Sequence, residues 1–273
     1  MNNPTVLVTG ASSGLGLHTA KQLAASGFNV IGGARSFHAD DTADDFIRLP
    51  LDVTDPASVQ AFVRKALALS PKIDAVVHCA GVLVLGSPEE TSDEEYLRVM
   101  DTDFLGMVRV NREILPHFRE NGGGKIVMFS SINGLLGVPF QGAYTAAKHA
   151  VEGYAECLEM EAHRFGVQIC LIEPGDHRSG SEAYRAHAAA MMDASPYRED
   201  FRSATSVISH DEHNGSDPDA LGRKVAKVLK RKKMPFRKCI ASPDQHLAVL
   251  LHRLLPWGVN SRILRDYYFG KES

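Results

Sequence analysis

Residues 5–8 (TVLV) are an apolar run that breaks at once into Thr9-Gly10-Ala11-Ser12-Ser13-Gly14-Leu15-Gly16, and a helical pattern follows. The run shows no polar alternation, so the strand it forms is buried on both faces. That situation belongs to parallel sheets covered by helices. A strand, a glycine-rich turn and a helix in this order predict a βα unit whose first turn is tight and whose helix packs closely against the sheet.

The same alternation continues for two-thirds of the chain. Residues 29–31, 47–51, 75–78, 126–129 and 167–172 read as further buried strands. Residues 14–25, 56–69, 93–120 and 143–165 read as helices between them. Strands alternating with helices predict an α/β fold: a doubly wound parallel sheet of the Rossmann type, with about seven strands. The expected organisation is one domain over 1–273. In it, 1–175 form the dinucleotide-binding and catalytic core, 176–217 a substrate lid, and 218–273 a C-terminal strand (237–241) with helices. The segment 176–217 is polar, with a single helical piece expected at 181–192. A connection of that length points to function.

Composition excludes several classes. A 273-residue chain with 44% apolar residues buries a sizeable core without disulfides or metals. The net charge of −3 gives no reason to expect a nucleic-acid partner. Cys79, Cys157, Cys170 and Cys239 are scattered, which predicts reduced thiols and no metal site. The N-terminus does not read as a secretory signal, and no apolar stretch is long enough to span a membrane. A cytoplasmic location is the expectation.

The glycine-rich turn has a chemical reading. Gly10 permits the turn, Gly14 lets backbone approach a pyrophosphate, and Gly16 lets the helix sit close to the sheet. The helix start, with Ser12, Ser13 and Leu15, then offers N–H groups and a positive dipole end to phosphate. About 20 residues on, a dinucleotide site that prefers NAD(H) places an acid against the ribose 2′-hydroxyl. Here the chain has Ala34-Arg35-Ser36. Arg35 either pairs with a 2′-phosphate, which favours NADP(H) over NAD(H), or is a solvated arginine at a strand end.

Taken in order, these residues resemble the short-chain dehydrogenase/reductase family in its single-domain form. The glycine spacing matches T-G-x-x-x-G-x-G, Leu51-Asp52-Val53-Thr54 resembles L-D-V-T, and Tyr144-Thr145-Ala146-Ala147-Lys148 matches Y-x-x-x-K. Ser131 stands thirteen positions before Tyr144, and Pro174-Gly175 resembles the P-G after the sixth strand. The stretch 235–256 shows a looser likeness to retinol and 17β-hydroxysteroid dehydrogenases. The resemblance implies Ser131, Tyr144 and Lys148 as catalytic residues with Asp103 in the place of a catalytic Asn. It implies cofactor contacts from Asp52 and Val53, from Cys79, Ala80 and Gly81, and from Pro174, Gly175, His177 and Ser179. Three positions depart from the family pattern. His78-Cys79-Ala80-Gly81 replaces N-N-A-G, Asp103 replaces Asn, and His177 replaces a small aliphatic residue.

The chemistry follows from these groups. Reducing a ketone needs hydride on carbon and a proton on oxygen; the cofactor supplies the first. A tyrosine supplies the second if its pKa falls toward the working pH. Lys148 is four residues after Tyr144, so both share one helix face, and the ammonium favours tyrosinate. Ser131, at a strand's C-terminal end, is placed to hydrogen-bond the substrate oxygen. Asp103 is either a structural helix residue or the anchor of a water bonded to Lys148.

The leading expectation is an NADP(H)-dependent carbonyl reductase or alcohol dehydrogenase acting on a partly apolar small molecule. The competing one is a nucleotide-sensing binding protein on the same fold. A homodimer or homotetramer is expected through the helices 93–120 and 143–165, with Leu105, Val108, Val151 and Leu158 in the contact. The cluster His210, Asp211, Glu212 and His213 is expected in a solvated loop. The basic helix 219–233 is expected to carry solvated charge. The stripe Leu247, Leu250, Leu251, Leu254 and Leu255 is expected in the core or an oligomer contact.

Overall fold

The computed structural model describes residues 3–38, 45–180, 185–189 and 194–270. Its strands are β1 (Thr5–Thr9), β2 (Asn29–Ala34), β3 (Ile47–Pro50), β4 (Ala75–His78), β5 (Val84–Leu85), β6 (Gly124–Phe129), β7 (Val167–Pro174), β8 (Ala186–His187) and β9 (Arg237–Ile240). Seven of them form one sheet in the order β3-β2-β1-β4-β6-β7-β9, every pair parallel. The apolar runs explain this: β1 and β4 are buried at every position, and only helices on both faces can cover such strands. The strand order reverses between β1 and β4. The C-terminal ends of strands on either side of that switch point open the crevice where open α/β sheets bind ligands.

Helices α1 (Gly14–Ala25), α2 (Pro56–Leu69), α3 (Asp93–Met100), α4 (Gly106–Glu120), α5 (Gly142–Ala162), α6 (Arg198–His213), α7 (Pro218–Leu229), α8 (Pro243–Leu254) and α9 (Trp257–Phe269) complete the described elements. One core layer packs Phe62, Val110, Ile114, Val151 and Leu158 of α2, α4 and α5 against Leu7, Val76 and Leu171 of the sheet. The other packs Leu23 of α1 and Leu221 and Val225 of α7 against Val8, Val77 and Ile172. Local signals start the helices. Asp55 and Asp217 cap α2 and α7, each followed by proline, and Ser92 and Glu95 form a reciprocal capping box on α3.

Three expectations change. The helix expected over 93–120 is interrupted by a π-helical turn, Asp101–Leu105, which widens the spiral and turns Asp103 fully inward. The helix expected over 181–192 lies largely outside the described residues, and within it Ala186–His187 form β8, paired with β5. A helix not expected from sequence, α6, carries His210–His213 in its last turn, so that cluster is helical rather than a loop. Its buried face is short, Ala204 and Ile208 only, which leaves a weak periodic signal.

The apolar candidates also redistribute. Val151 and Leu158 lie in this chain's own core and are unavailable to a second subunit, whereas Leu105 is 40% exposed. Leu247, Leu250 and Leu254 are exposed on α8 and do not enter the core.

An ionic cluster fixes α5 on the sheet edge. Arg237 of β9 bonds to Glu152 of α5, to Glu173 of β7 at 3.1 Å and to Glu156 at 2.5 Å. The Glu152 and Glu173 side chains are only 9% and 4% exposed, so removing the guanidinium strands buried carboxylate. Burial already holds the Glu152 carboxyl above its ordinary value. We expect Arg237→Ala to lose about 3 kcal/mol in urea denaturation at pH 7. The loss should shrink as the pH falls, because Glu152, whose carboxyl is raised by burial, takes up a proton and relieves the stranded charge.

Candidate active site

Three elements converge at the C-terminal rim of the sheet. Ser131 follows β6 and caps a short 3-10 turn, its Oγ accepting from Asn133 N at 3.2 Å. The Asn133 amide in turn donates to Gln141 Oε1 at 2.7 Å, tying this turn to the start of α5. Tyr144 and Lys148 lie one helical turn apart on α5, with the ammonium 5.2 Å from the Tyr144 ring centre. Lys148 Nζ donates to Phe129 O at 3.1 Å and sits 3.2 Å from Asp103 Oδ2. Asp103 Oδ1 accepts from Val82 N at 2.7 Å. The contact between Lys148 and Asp103 is therefore a direct ion pair.

Burial governs the protonation of this group. The Lys148 and Asp103 side chains are 5% and 0% exposed. Burial opposes charge on Lys148, yet Asp103 and Tyr144 bring it above its ordinary value. Burial likewise raises Asp103 against the pull of Lys148. Tyr144 corrects the sequence expectation. Burial raises its pKa and outweighs the downward pull of Lys148, while Asp103 and Glu212 push it up further and hydrogen bonding with Ser131 opposes them.

The loop entering α5 is held under strain. Phe140 adopts φ 59°, a left-handed conformation that costs a bulky residue roughly 1–3 kcal/mol. Edge-on contacts with Phe201 of α6 at 5.2 Å and Phe269 of α9 at 6.3 Å pin its ring. The backbone of Gly86 bonds to its carbonyl at 3.0 Å. Residues 85–86, α6 and α9 thus all bear on the turn that presents Tyr144.

The glycine-rich turn lies at the other side of the switch point. Gly10 has φ +70°, and a Cβ there would come within 2.7 Å of Ala80 backbone; a Cβ on Gly16 would come within 2.1 Å of Gly10 O. Thr9 Oγ1 accepts from Cys79 N and Ala80 N at 3.2 and 3.3 Å, which clamps the turn against the end of β4. Arg35 and Ser36 are exposed at the end of β2. Asp52 accepts from Thr54 N and Oγ1 at 2.9 and 2.7 Å. Burial alone would raise the Asp52 pKa; the Thr54 bonds, with Arg35 and Arg109, bring it below its ordinary value.

Residues 4–189 match the short chain dehydrogenase family profile. The chain belongs to the short-chain dehydrogenase/reductase family. It is 34% identical to a 3-ketodihydrosphingosine reductase of Bacteroides thetaiotaomicron, over 98% of this chain and 99% of that one. A crystal structure of a short-chain dehydrogenase from Streptomyces avermitilis superposes with TM-score 0.81 at 29% identity, covering 95% of this chain and 98% of that one. An alcohol dehydrogenase from Thermococcus sibiricus, complexed with 5-hydroxy-NADP, shares the fold at TM-score 0.70 and 22% identity, covering 88% and 97%. This short-chain dehydrogenase/reductase is thus an enzyme of a family that binds NAD(P).

The residues present fit a dinucleotide. Ser13 caps α1 without a side-chain hydrogen bond, so the first-turn N–H groups keep their donors for a phosphate. Among the described residues a Cβ on Gly14 would meet nothing within 4 Å, which leaves that face open.

The departures from the family pattern acquire physical content. Burial pushes the Cys79 thiol up, so it stays protonated beside the turn. His177 Nδ1 pairs with Gly175 O at 2.8 Å, which fixes the proton on Nδ1 and leaves buried Nε2 as a bare acceptor. Burial holds His177 below its ordinary value. His78 pairs through Nε2 with Asn111 Oδ1 at 2.8 Å, and Asn111 Nδ2 donates to Tyr154 OH at 3.3 Å. Sequence reading placed Thr9 in the glycine motif without a role of its own and missed Asn111, Asn133 and Gln141. Each braces a neighbour, and a bracing amide or hydroxyl has no spacing of its own.

Burial depresses the His78 pKa from 6.5 to about 4. The unfolded chain binds this proton at pH 6.5 and the folded chain only near pH 4, so stability falls as pH drops through that window. The loss attributable to His78 is about 3 kcal/mol by pH 4. We expect His78→Asn to flatten the slope of unfolding free energy against pH between 6.5 and 4 in urea titrations. An unchanged slope would assign the acid sensitivity to other groups.

Proposed function

We propose that this enzyme is an NADP(H)-dependent carbonyl reductase, interconverting a ketone or aldehyde and its alcohol on a partly apolar small molecule. The observation that carries the reading is the convergence of Ser131 and Tyr144 at one rim, with the Lys148–Asp103 pair buried behind them. A bound nicotinamide supplies the hydride in reduction and accepts it in oxidation. Ser131 Oγ orients the substrate oxygen. Tyr144 donates its hydroxyl proton to that oxygen in reduction and takes it back in oxidation. Lys148 stabilises the tyrosinate left behind, and Asp103 holds the ammonium in place while opposing the tyrosinate.

The groove for the dinucleotide runs from Gly10, Ser12, Ser13, Gly14, Leu15 and Gly16 past Asp52 and Val53. It continues along Cys79, Ala80 and Gly81 to Pro174, Gly175, His177 and Ser179. Arg35, exposed beside Ser36 with no acid at the end of β2, supports a 2′-phosphate and hence NADP(H). The relative's name supports a long-chain ketone as the substrate class. Within 176–217, β8 laid on β5 and α6 packed on Phe140 support a substrate-facing wall.

Three substitutions test the reading. Tyr144→Phe keeps the ring and removes the transferable proton, so turnover should fall by three orders of magnitude or more, while NADPH binding by calorimetry stays within a few-fold. Collapse of binding as well would make the residue structural. Asp103→Asn removes a charge that raises Tyr144, so the basic limb of the alcohol-oxidation profile should move to lower pH. For the nucleotide, Arg35→Asp should weaken NADPH by ten-fold or more and spare NADH. Equal NADPH and NADH affinities in the parent enzyme would remove the preference.

A further inference from the structure

The C-terminal hairpin presents apolar side chains outward that no other described residue covers. On α8, Leu247, Leu250 and Leu254 stand at i, i+3 and i+7 and are 53%, 51% and 70% exposed. Trp257, the chain's single tryptophan, continues the stripe at the start of α9 and is 65% exposed. Scattered exposed leucines need no explanation, but a stripe along a 12-residue helix, about 18 Å long, that ends in an indole is a surface with a partner.

The hairpin is rigid. Asn260, 5% exposed, donates to His252 O at 3.2 Å and Leu255 O at 2.9 Å, which locks the turn between the helices. The inner face of α8, through Val249 and Ala248, packs on Leu136 and Val138 beyond Ser131 and on Ile208 of α6. Gln245 bonds to Asp176, which follows the end of β7. The stripe is therefore the outer surface of the wall that borders the catalytic rim.

Charge selects the partner. From Gln245 to Arg265 the sequence holds no carboxylate, and His246 and Arg253 share the exposed side of α8 with the leucines. The hairpin's own acids, Asp244 and Asp266, lie near its ends and are outnumbered by exposed Arg253, Arg262 and Arg265, so a two-fold pairing of this stripe with its copy would set net positive charge against net positive charge. An anionic lipid surface satisfies both halves: headgroup phosphates take the cations, and the acyl boundary takes the leucines and the indole.

We propose that the α8–α9 hairpin docks this enzyme onto anionic lipid surfaces, with the catalytic rim close to the membrane. Delivery of an apolar ketone from the bilayer rests on the carbonyl-reductase reading above; docking itself does not. Trp257 is its own probe. Adding phosphatidylglycerol vesicles should shift its emission to the blue and pellet the protein with the vesicles. Phosphatidylcholine vesicles should do so weakly, and added salt should reverse the effect. Leu250→Asp should abolish the shift. Arg253→Glu should weaken vesicle binding by roughly ten-fold or more. Both variants alter exposed positions and should reduce a water-soluble ketone at the parent rate, which separates docking from catalysis. An unshifted emission with phosphatidylglycerol overturns the proposal, as does equal binding to both lipids. A blue shift that grows with protein concentration without vesicles overturns it in favour of a second copy of the chain.

Discussion

Lys148 carries its charge where water scarcely reaches, and the arrangement around it follows from keeping that charge. Asp103 supplies the countercharge, Phe129 O a hydrogen bond, and the Tyr144 ring a polarisable face. Each comes from a different element: the π turn, the end of β6 and the first turn of α5. Removing any one would leave an under-compensated ammonium in a low-dielectric site. The pair therefore makes sheet, helix and π turn mutually dependent. Asp103 also holds Val82, so the same carboxylate links the ammonium to the segment that leads into β5, on which β8 lies.

A second dependence runs through contact distances. The turn after β1 touches the backbone after β4 at Gly10 and folds on its own Gly10 carbonyl at Gly16, so neither glycine has space for a side chain. Thr9 then closes two hydrogen bonds across the gap. The dinucleotide groove and the catalytic rim are in this way two sides of one switch point, set by the order of parallel strands.

Much of this was legible in the sequence because it rests on periodicity and on special residue types. Buried parallel strands show as unbroken apolar runs, as in residues 75–78, and the glycine positions follow from sterics. Tyr144 and Lys148 share a face because four residues make one helical turn. What was not legible depends on tertiary contact. A π turn leaves no mark in an amphipathic pattern that remains apolar on one side, so residues 93–120 read as one helix. Whether Val151 faces a partner or the core is a question of what the fold lays against it, and the same holds for Leu254, which faces out. The net direction of the Tyr144 shift depended on burial, and a sequence shows the lysine without showing how much solvent is excluded.

The two charged ends of the groove differ in exposure, and this has a consequence for how the enzyme responds to its ionic surroundings. Arg35 lies open to solvent, so dissolved ions compete directly for its field. The Lys148–Asp103 pair is enclosed, and mobile ions cannot enter between its members. Ionic strength therefore acts as a selective solvent variable. It screens the field of Arg35 while leaving the Lys148–Asp103 pair almost untouched, so the two charges answer to separate physical regimes within one fold.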